Sequence, residues 1–411
     1  MKIKAARQVD ETSRSGLGLD VVVLGGGGHV GLPLSLALAQ AGMYVGIVDI
    51  DESVVERIGR GEMPFLENGA DALLAEVLPT GRLELSTSPQ LIERAGTVIV
   101  VIGTPIDEFL NPSMTVFRET VDQIAPHLSP GTLVVLRSTV YPGTTEYVAE
   151  ELRERACDVS VAFCPERIAE GQALEELASL PQIVGADDKI AGDRAEGLFR
   201  RITGNIIRTS TKEAELVKLF TNAWRYIKFA VANQYFEIAH EAGVDYNNVL
   251  RAIKTDYPRA KDLPGPGLAA GPCLLKDTMQ LAAFTSDHFG LGQAAMQVNE
   301  GLPAYIVNAI EKRFGSLRGR NIGLLGMAFK AESDDIRSSL SYKLRKLLLW
   351  SGAHVLCTDP FVSDPRLLPL EEVLTDAEIL VIGAPHELYK RTDLGGRQVV
   401  DIWGVVDGIN L

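Results

Sequence analysis

The chain predicts an α/β fold: two Rossmann-like doubly wound parallel-sheet domains joined by a long central helix. Three observations carry this. An apolar strand runs directly into Gly26-x-Gly28-x-x-Gly31 and then a helical segment. The same order of strand, glycine and helix returns from Asn321 onward. Between them, from Thr211, apolar residues recur at three- and four-residue spacing, the period of a helix. The expected divisions are a polar tail (1–17), a first Rossmann domain (18–210), a central helical domain (211–317) and a second, shorter Rossmann-like domain (318–411).

The opening residues, MKIKAARQVDETSRSG, lack an apolar stretch and read as a polar tail, not a signal peptide. Val21-Val22-Val23-Leu24 is a continuous apolar run, as a parallel strand buried on both faces requires. The helical LPLSLALAQAG then ends at Gly42, and a second strand, Tyr44 to Val48, stops at Asp49. Glycines let a backbone approach a pyrophosphate, and a helix N-terminus meets it with partial positive charge. Asp49 is placed to accept from a ribose 2′-hydroxyl and to repel a 2′-phosphate, which favours NAD over NADP. Gly26, Gly28, His29, Val30, Gly31 and Asp49 are the expected cofactor contacts. A glycine run alone also fits a flexible loop; the strand, helix and terminal acid in order argue against that.

Three further apolar strands follow. Thr97–Ile102 ends in Gly103-Thr104-Pro105, Thr132–Leu136 in Arg137-Ser138-Thr139, and Val159–Cys164 in Pro165-Glu166-Arg167-Ile168-Ala169-Glu170-Gly171. Ligands of open parallel sheets sit outside the carboxyl ends of the strands, where all three loops fall. Simple strand-end turns are the plainer alternative.

The helical pattern from Thr211 runs to about His240, with Gly243 as a stop. Some thirty residues span roughly 45 Å, enough to join two domains and offer a dimer surface. Lys218 and Asn222 are four apart and share a helix face. On a surface helix such a pair ordinarily faces solvent. In the last segment, strands at Asn321–Leu325, His354–Cys357 and Ile379–Ile382 flank a helix from Ser338 to about Trp350. The loop Phe329–Arg337 has no second glycine fingerprint but carries Lys330 and Arg337, which suits a phosphorylated ligand. A cleft between two such domains is expected, with the segment 250–300 facing it.

That segment holds Gly265-Pro266-Gly267-Leu268-Ala269-Ala270-Gly271-Pro272-Cys273-Leu274-Leu275-Lys276-Asp277. Small residues deliver Cys273 to a helix start, with Lys276 and Asp277 within one turn. A cation and a helix N-terminus both favour thiolate, the nucleophilic form. An inert buried cysteine is the plainer reading.

Composition sets limits. With 46% hydrophobic and 23% charged residues the chain is ordinary globular protein, and 411 residues support two or three domains. A net charge of −14 argues against nucleic-acid or anionic-membrane partners. No apolar run approaches the length of a membrane span. Cys157, Cys164, Cys273 and Cys357 form no metal-like cluster and no disulfide framework, so a reducing, cytoplasmic setting is expected.

Six motifs in order make the chain resemble the nucleotide-sugar 6-dehydrogenases, the UDP-glucose/GDP-mannose dehydrogenase family. They are the glycine fingerprint with Asp49, the GTP turn at 103–105, STVYPGTTE at 138–146, PERIAEG at 165–171, KLFTN at 218–222, and GPCLLKD at 271–277 followed by FKAESDDIR at 329–337. The resemblance implies NAD-dependent, four-electron oxidation of a UDP-sugar C6 alcohol to a carboxylate by a homodimer built on the central helix. It implies that Cys273 captures the aldehyde, that a second oxidation gives a thioester, and that water hydrolyses it. Lys218 and Asn222 would hold the oxyanion and contact substrate. Asp277 would orient a water or share a proton, and Glu170 with Thr139 would assist hydrolysis. Thr104, Ser138, Thr139, Glu166 and Lys276 would lie on the cofactor side. Glu166, Arg167, Arg259, Gly267, Phe329, Lys330 and Arg337 would meet the nucleotide sugar.

Two departures bear on the sugar. Leu268 and Ala270 stand where the family usually has glycines, and the loop before Cys273 is expected to be reshaped. Arg167 replaces the aromatic of UDP-glucose enzymes and resembles the branch acting on UDP-N-acetylhexosamines such as UDP-N-acetylmannosamine or UDP-N-acetylglucosamine. The alternatives are a UDP-glucose 6-dehydrogenase, a two-electron β-hydroxyacid-type NAD dehydrogenase and a non-catalytic nucleotide-binding relative.

Overall fold

The computed structural model describes residues 18–104, 114–155, 157–269, 271–286, 288–394 and 396–406. The expected polar tail, Pro105 of the 103–105 turn and Ala270 lie outside the described residues. The chain forms two compact units, the first ending at Leu219 and the second beginning at Phe220. The division falls inside the long helix.

The first unit is built on eight strands: β1 (Val21–Leu24), β2 (Val45–Val48), β3 (Leu83–Ser86), β4 (Thr97–Val100), β5 (Thr132–Leu136), β6 (Val159–Phe163), β7 (Gln182–Gly185) and β8 (Ile206–Thr209). They lie in the order β3-β2-β1-β4-β5-β6-β7-β8. All pairs are parallel except β6 with β7. Successive side chains of a strand point to opposite faces, and each face here has its own core. Val21 and Val23 pack with Leu32, Leu36 and Ile47. Val22 and Leu24 pack with Phe117, Val121 and Ile124. A strand with two buried faces has no place for polar alternation, which is why β1 reads as four apolar residues in a row. The sequence reading had no signal for β3, β7 and β8, and β4 ends at Val100, two residues short of the expected Ile102.

The second unit repeats the device on four parallel strands: β9 (Asn321–Leu325), β10 (His354–Thr358), β11 (Ile379–Ile382) and β12 (Gln398–Val400), in the order β10-β9-β11-β12. Ile379 and Val381 face one core with Leu324, Leu344 and Ile306, while Leu380 and Ile382 face another with Val373 and Tyr389. The helix expected from Ser338 begins at Leu340, because Ser339 takes the cap and its hydroxyl accepts from Ser341 N.

The long helix runs Thr211–Glu241, 31 residues. Glu213 accepts from Ser210 N at 2.9 Å at its start. At its end Val244 N donates to Ala239 O (3.0 Å) across Gly243, whose φ of 70° closes the turn. Among the described residues no helix is long and apolar enough to cross a membrane.

Candidate active site

At the carboxyl edge of β1, the glycine fingerprint shows why each glycine is there. A Cβ at Gly31 would lie 2.5 Å from Gly25 O, and one at Gly26 would lie 2.8 Å from Val23 O. These two allow the helix Gly31–Gln40 to sit tight against the sheet. A Cβ at Gly28 would meet nothing closer than Gly25 O at 3.9 Å, so this glycine faces open space. No acid occupies the first turn of that helix to neutralise its N-terminus. Asp49, at the end of β2, accepts from Gly27 N (2.9 Å) and Asp51 N (3.2 Å), leaving carboxylate lone pairs for a ribose hydroxyl. His29 stacks on Phe65 with centroids 4.0 Å apart, and Val30 is the residue before the helix. Thr104 is half-buried beyond β4. Open space at a glycine, a helix N-terminus and a strand-end acid fit a dinucleotide.

Farther along the same edge, carboxylates hold the loops by their backbone. Arg137 follows β5 and is fully buried. It donates to Cys164 O (3.1 Å), to Gln182 Oε1 (3.0 Å) and to Glu166 Oε2, and lies over the Phe199 ring. The other oxygen of Glu166 accepts from Arg167 N (2.6 Å) and Ile168 N (2.8 Å). Glu166 therefore shapes its own loop. Arg167 donates to Pro181 O. Glu176 accepts from Ala169 N (2.6 Å), and buried Glu67 accepts from Gly171 N and Ala173 N, both 2.8 Å. Half-buried Glu170 sits in the middle of this anchored stretch. Ser138 Oγ accepts from Ile102 N at 2.8 Å, tying the loops after β4 and β5 together, and Thr139 beside it is buried. Glu215, on the long helix, accepts from Gly143 N (2.7 Å), Thr145 N (2.8 Å) and Thr145 Oγ1 (2.6 Å). Hydrogen bonds to a charged partner contribute about 1.5–3 kcal/mol each, so these loops are held to one shape.

The sequence reading missed Arg137, Glu67, Glu176 and Glu215. Only Glu215 left a signal: it precedes Lys218 by three residues and so lies near the same helix face. Lys218 and Asn222 do not face solvent as such a pair ordinarily would; they are 8% and 3% exposed.

In the second unit, Cys273 is the residue before the helix Leu274–Phe284, and it is the exposed one of the four cysteines while Cys164 and Cys357 are buried. Burial pushes the Cys164 thiol up to about 12 and also raises that of Cys357. One turn into the helix, Asp277 is fully buried. Its Oδ2 accepts from Asn222 Nδ2 at 2.5 Å. Its Oδ1 has no hydrogen-bond partner, although Lys276 Nζ stands 3.2 Å away as an ion-pair neighbour.

Leu268 is 2% exposed and belongs to the core with Phe236, Leu302 and Ile306. Its φ is not positive, so no glycine is required of it. Gly267 donates to Asn233 Oδ1 (2.8 Å), and a Cβ there would lie 2.1 Å from the Trp403 ring. Gly267 is thus explained by packing against protein. At Gly271, φ is 103° and a Cβ would come within 2.7 Å of Phe329. Phe329 therefore lies against the backbone two residues ahead of Cys273. Lys330 follows it, with Nζ 5.6 Å from the Phe329 centroid. Arg337 forks onto Asp335, with Nε to Oδ1 at 3.0 Å and Nη2 to Oδ2 at 2.6 Å. Arg259 is exposed, donating to the Tyr257 hydroxyl (2.9 Å) and lying over its ring.

Comparison with known proteins gives three consecutive family matches. Residues 20–203 match the NAD binding domain of the UDP-glucose/GDP-mannose dehydrogenase family, 212–301 its central domain and 323–408 its UDP binding domain. The UDP-N-acetyl-D-mannosamine dehydrogenase of Methanocaldococcus jannaschii is 31% identical over 392 residues, spanning 93% of this chain and 89% of that protein. A UDP-glucose dehydrogenase from the hyperthermophilic archaeon Pyrobaculum islandicum superposes with a TM-score of 0.90 at 29% identity, covering 98% of this chain and 99% of that one. A UDP-D-ManNAc dehydrogenase from Pyrococcus horikoshii gives a TM-score of 0.89 at 29% identity, covering 96% and 97%.

Proposed function

The chain belongs to the UDP-glucose/GDP-mannose dehydrogenase family, and we propose that it oxidises the C6 hydroxyl of a UDP-N-acetylhexosamine to the carboxylate through a thioester on Cys273. It is an NAD-dependent nucleotide-sugar dehydrogenase; the sugar and the covalent route are the proposal. The observation that carries it is Cys273, an exposed thiol at a helix start with the buried Asp277–Asn222 pair one turn on.

Bound NAD would supply the acceptor of a hydride, two electrons and a proton, for each of the two oxidations at C6. The residues suited to hold it are Gly26, Gly28, His29, Val30, Gly31 and Asp49, with Thr104 and Ser138 at the neighbouring strand ends. Asp277 takes up or relays the hydroxyl proton of the first oxidation. The Cys273 thiolate adds to the aldehyde carbon, forming a C–S bond and moving charge onto the former carbonyl oxygen. Lys218 and Asn222 supply donors for that oxyanion. An amide nitrogen has two N–H groups, so Asn222 keeps one after donating to Asp277. After the second oxidation the carbon is a thioester. Glu170, with Thr139, activates a water that adds to it, and the C–S bond breaks to return the thiolate and release the acid. In the second unit Lys330 and Arg337 meet the nucleotide diphosphate.

A UDP-N-acetylhexosamine is favoured by Arg167 in place of an aromatic and by the relatives named for UDP-N-acetyl-D-mannosamine. The reading extends to a homodimer through the long helix, where Phe220, Trp224, Val231, Tyr235 and Ile238 follow one another at three-, four- and seven-residue spacing and are all exposed. Such a stripe on a helix is a surface that a partner covers.

Counting NADH formed per sugar tests the proposal, using UDP-N-acetylmannosamine, UDP-N-acetylglucosamine and UDP-glucose with the wild type and Cys273→Ser. Two NADH per sugar and no acid from the variant are expected. One NADH per sugar, or undiminished acid from the variant, sinks the thioester route.

A further inference from the structure

The second sheet repeats a feature of the first and uses it differently. Asp49 follows β2, the strand beside β1; Asp359 follows β10, the strand beside β9. Asp359 is saturated. Its Oδ2 accepts from Met327 N (2.6 Å), Ala328 N (3.0 Å) and His386 Nε2 (3.1 Å), and its Oδ1 from Phe361 N (2.8 Å) and Val362 N (3.1 Å). Five donors meet a group with about four lone-pair sites, so no acceptor is left for a ribose hydroxyl. Burial opposes the charge, yet the bonds from His386, Phe361 and Ala328 hold this carboxyl below its ordinary value.

What Asp359 does instead is orient a histidine. His386 is completely buried, against Phe361 (centroids 5.2 Å) and Tyr389 (5.6 Å). A carboxylate can only accept, so Nε2 carries the proton and Nδ1 is left as an acceptor. Nδ1 takes the backbone N–H of Glu332 at 3.0 Å. Glu332 has a φ of 53°, a left-handed conformation that a residue with a side chain adopts only when held there. A second tie comes from Glu387 N to Glu332 Oε1 at 2.9 Å. Glu332 lies within the loop that carries Phe329, Lys330 and Arg337, midway along the turn closed by Phe329 N to Asp335 O at 2.9 Å.

We propose that His386, oriented by Asp359, is a positioning residue that latches the 329–337 loop at Glu332 and so sets the affinity for the nucleotide diphosphate. This rests on the assignment of Lys330 and Arg337 to that ligand. An imidazole contacts Asp359 through one nitrogen and the loop through the other, and two amides separate these roles. In His386→Gln the amide reaches the Nε2 position, keeping Asp359 and losing the loop. In His386→Asn it reaches the Nδ1 position, keeping an acceptor for Glu332 N.

The test is calorimetric binding of UDP and, separately, of NAD to the full-length wild type, both variants and Lys330→Ala. His386→Gln is expected to weaken UDP binding about tenfold, the worth of one preorganising contact, with NAD binding unchanged. His386→Asn is expected to stay near wild type for both. The latch is overturned if the Gln variant binds UDP as the wild type does, if Asn is as weak as Gln, or if NAD affinity falls in step with UDP. The underlying assignment fails separately, and this proposal with it, if the wild type binds no UDP or if Lys330→Ala changes nothing.

Discussion

Asn222 Nδ2 donates to Asp277 Oδ2 at 2.5 Å, a bond between the long helix and the cysteine helix at which both side chains are out of water. The bond orients the amide, and it satisfies one oxygen of a buried carboxylate whose other oxygen has no hydrogen bond. Asn222→Ala therefore removes two things at once. On the role proposed for Asn222, loss of an oxyanion donor is expected to lower turnover by about 10²–10³. Loss of the bond to Asp277 lowers stability by about 1–3 kcal/mol. Single-turnover kinetics and thermal melts read the two apart. A variant that melts early but turns over normally would make Asn222 a structural residue only.

The thiols offer a second check. Burial pushes Cys164 up to about 12 and raises Cys357, so neither is thiolate near neutrality. The thiolate is the reactive form, and raising the pH from 7 to 9 leaves Cys164 almost entirely protonated. Cys273 is exposed beside a helix N-terminus. Iodoacetamide at pH 8 is expected to label Cys273 first, with Cys164 and Cys357 unmarked until the chain unfolds. Peptide mass spectrometry over time decides; equal rates at Cys273 and Cys164 would defeat activation by position.

The ion pair of Arg137 with Glu166 joins the loops after β5 and β6, with the arginine fully buried and the carboxylate nearly so. Removing one member leaves the other charge buried and unpaired, which costs about 3–5 kcal/mol. Arg137→Met is expected to lose that much in urea unfolding. Arg137→Met with Glu166→Gln together should lose less than the two single changes added, because no bare charge remains. Strict additivity would show that the pair is not coupled.

What the sequence made legible here was local. The glycine fingerprint with Asp49 and the placement of Cys273 and Asp277 at a helix start rest on spacings of a few residues within one or two elements. Arg137, Glu67 and His386 were illegible because their partners are distant: 29 residues from Arg137 to Glu166, 104 from Glu67 to Gly171 and 54 from Glu332 to His386. Glu215 showed its helix face but not its partner Thr145, 70 residues away. A buried glutamate that holds a backbone looks, as a letter, like a solvated one. The burial of Lys218 and Asn222 was hidden for the same reason, since helical spacing names a shared face and not what covers it.

Leu268 shows the converse, a residue whose letter suggested a reshaped sugar loop and whose place is in the core. At 2% exposure it packs with Phe236, Leu302 and Ile306. Leu268→Gly, which restores the family's usual residue, is expected to destabilise by about 2–5 kcal/mol, the cost of deleting a buried leucine. The relative kcat/KM for UDP-N-acetylmannosamine and UDP-glucose should hold. A reversal of sugar preference in a stably folded variant would return Leu268 to the specificity determinants.

The stripe of Phe220, Trp224, Val231, Tyr235 and Ile238 bears on assembly. These side chains are between 37% and 59% exposed, on a helix whose other face supplies Ala223, Tyr226 and Ala230 to the interior. Burying such aromatic and aliphatic groups gains about 25 cal/mol per Å² of apolar surface, and aromatic anchors dominate interfaces of this kind. A homodimer through this face predicts that Trp224→Glu with Ile238→Glu yields monomers in sedimentation. Both positions face water in the single chain, so the thermal unfolding of the monomer itself should be little changed. A double variant that still sediments as a dimer would move the interface off this helix.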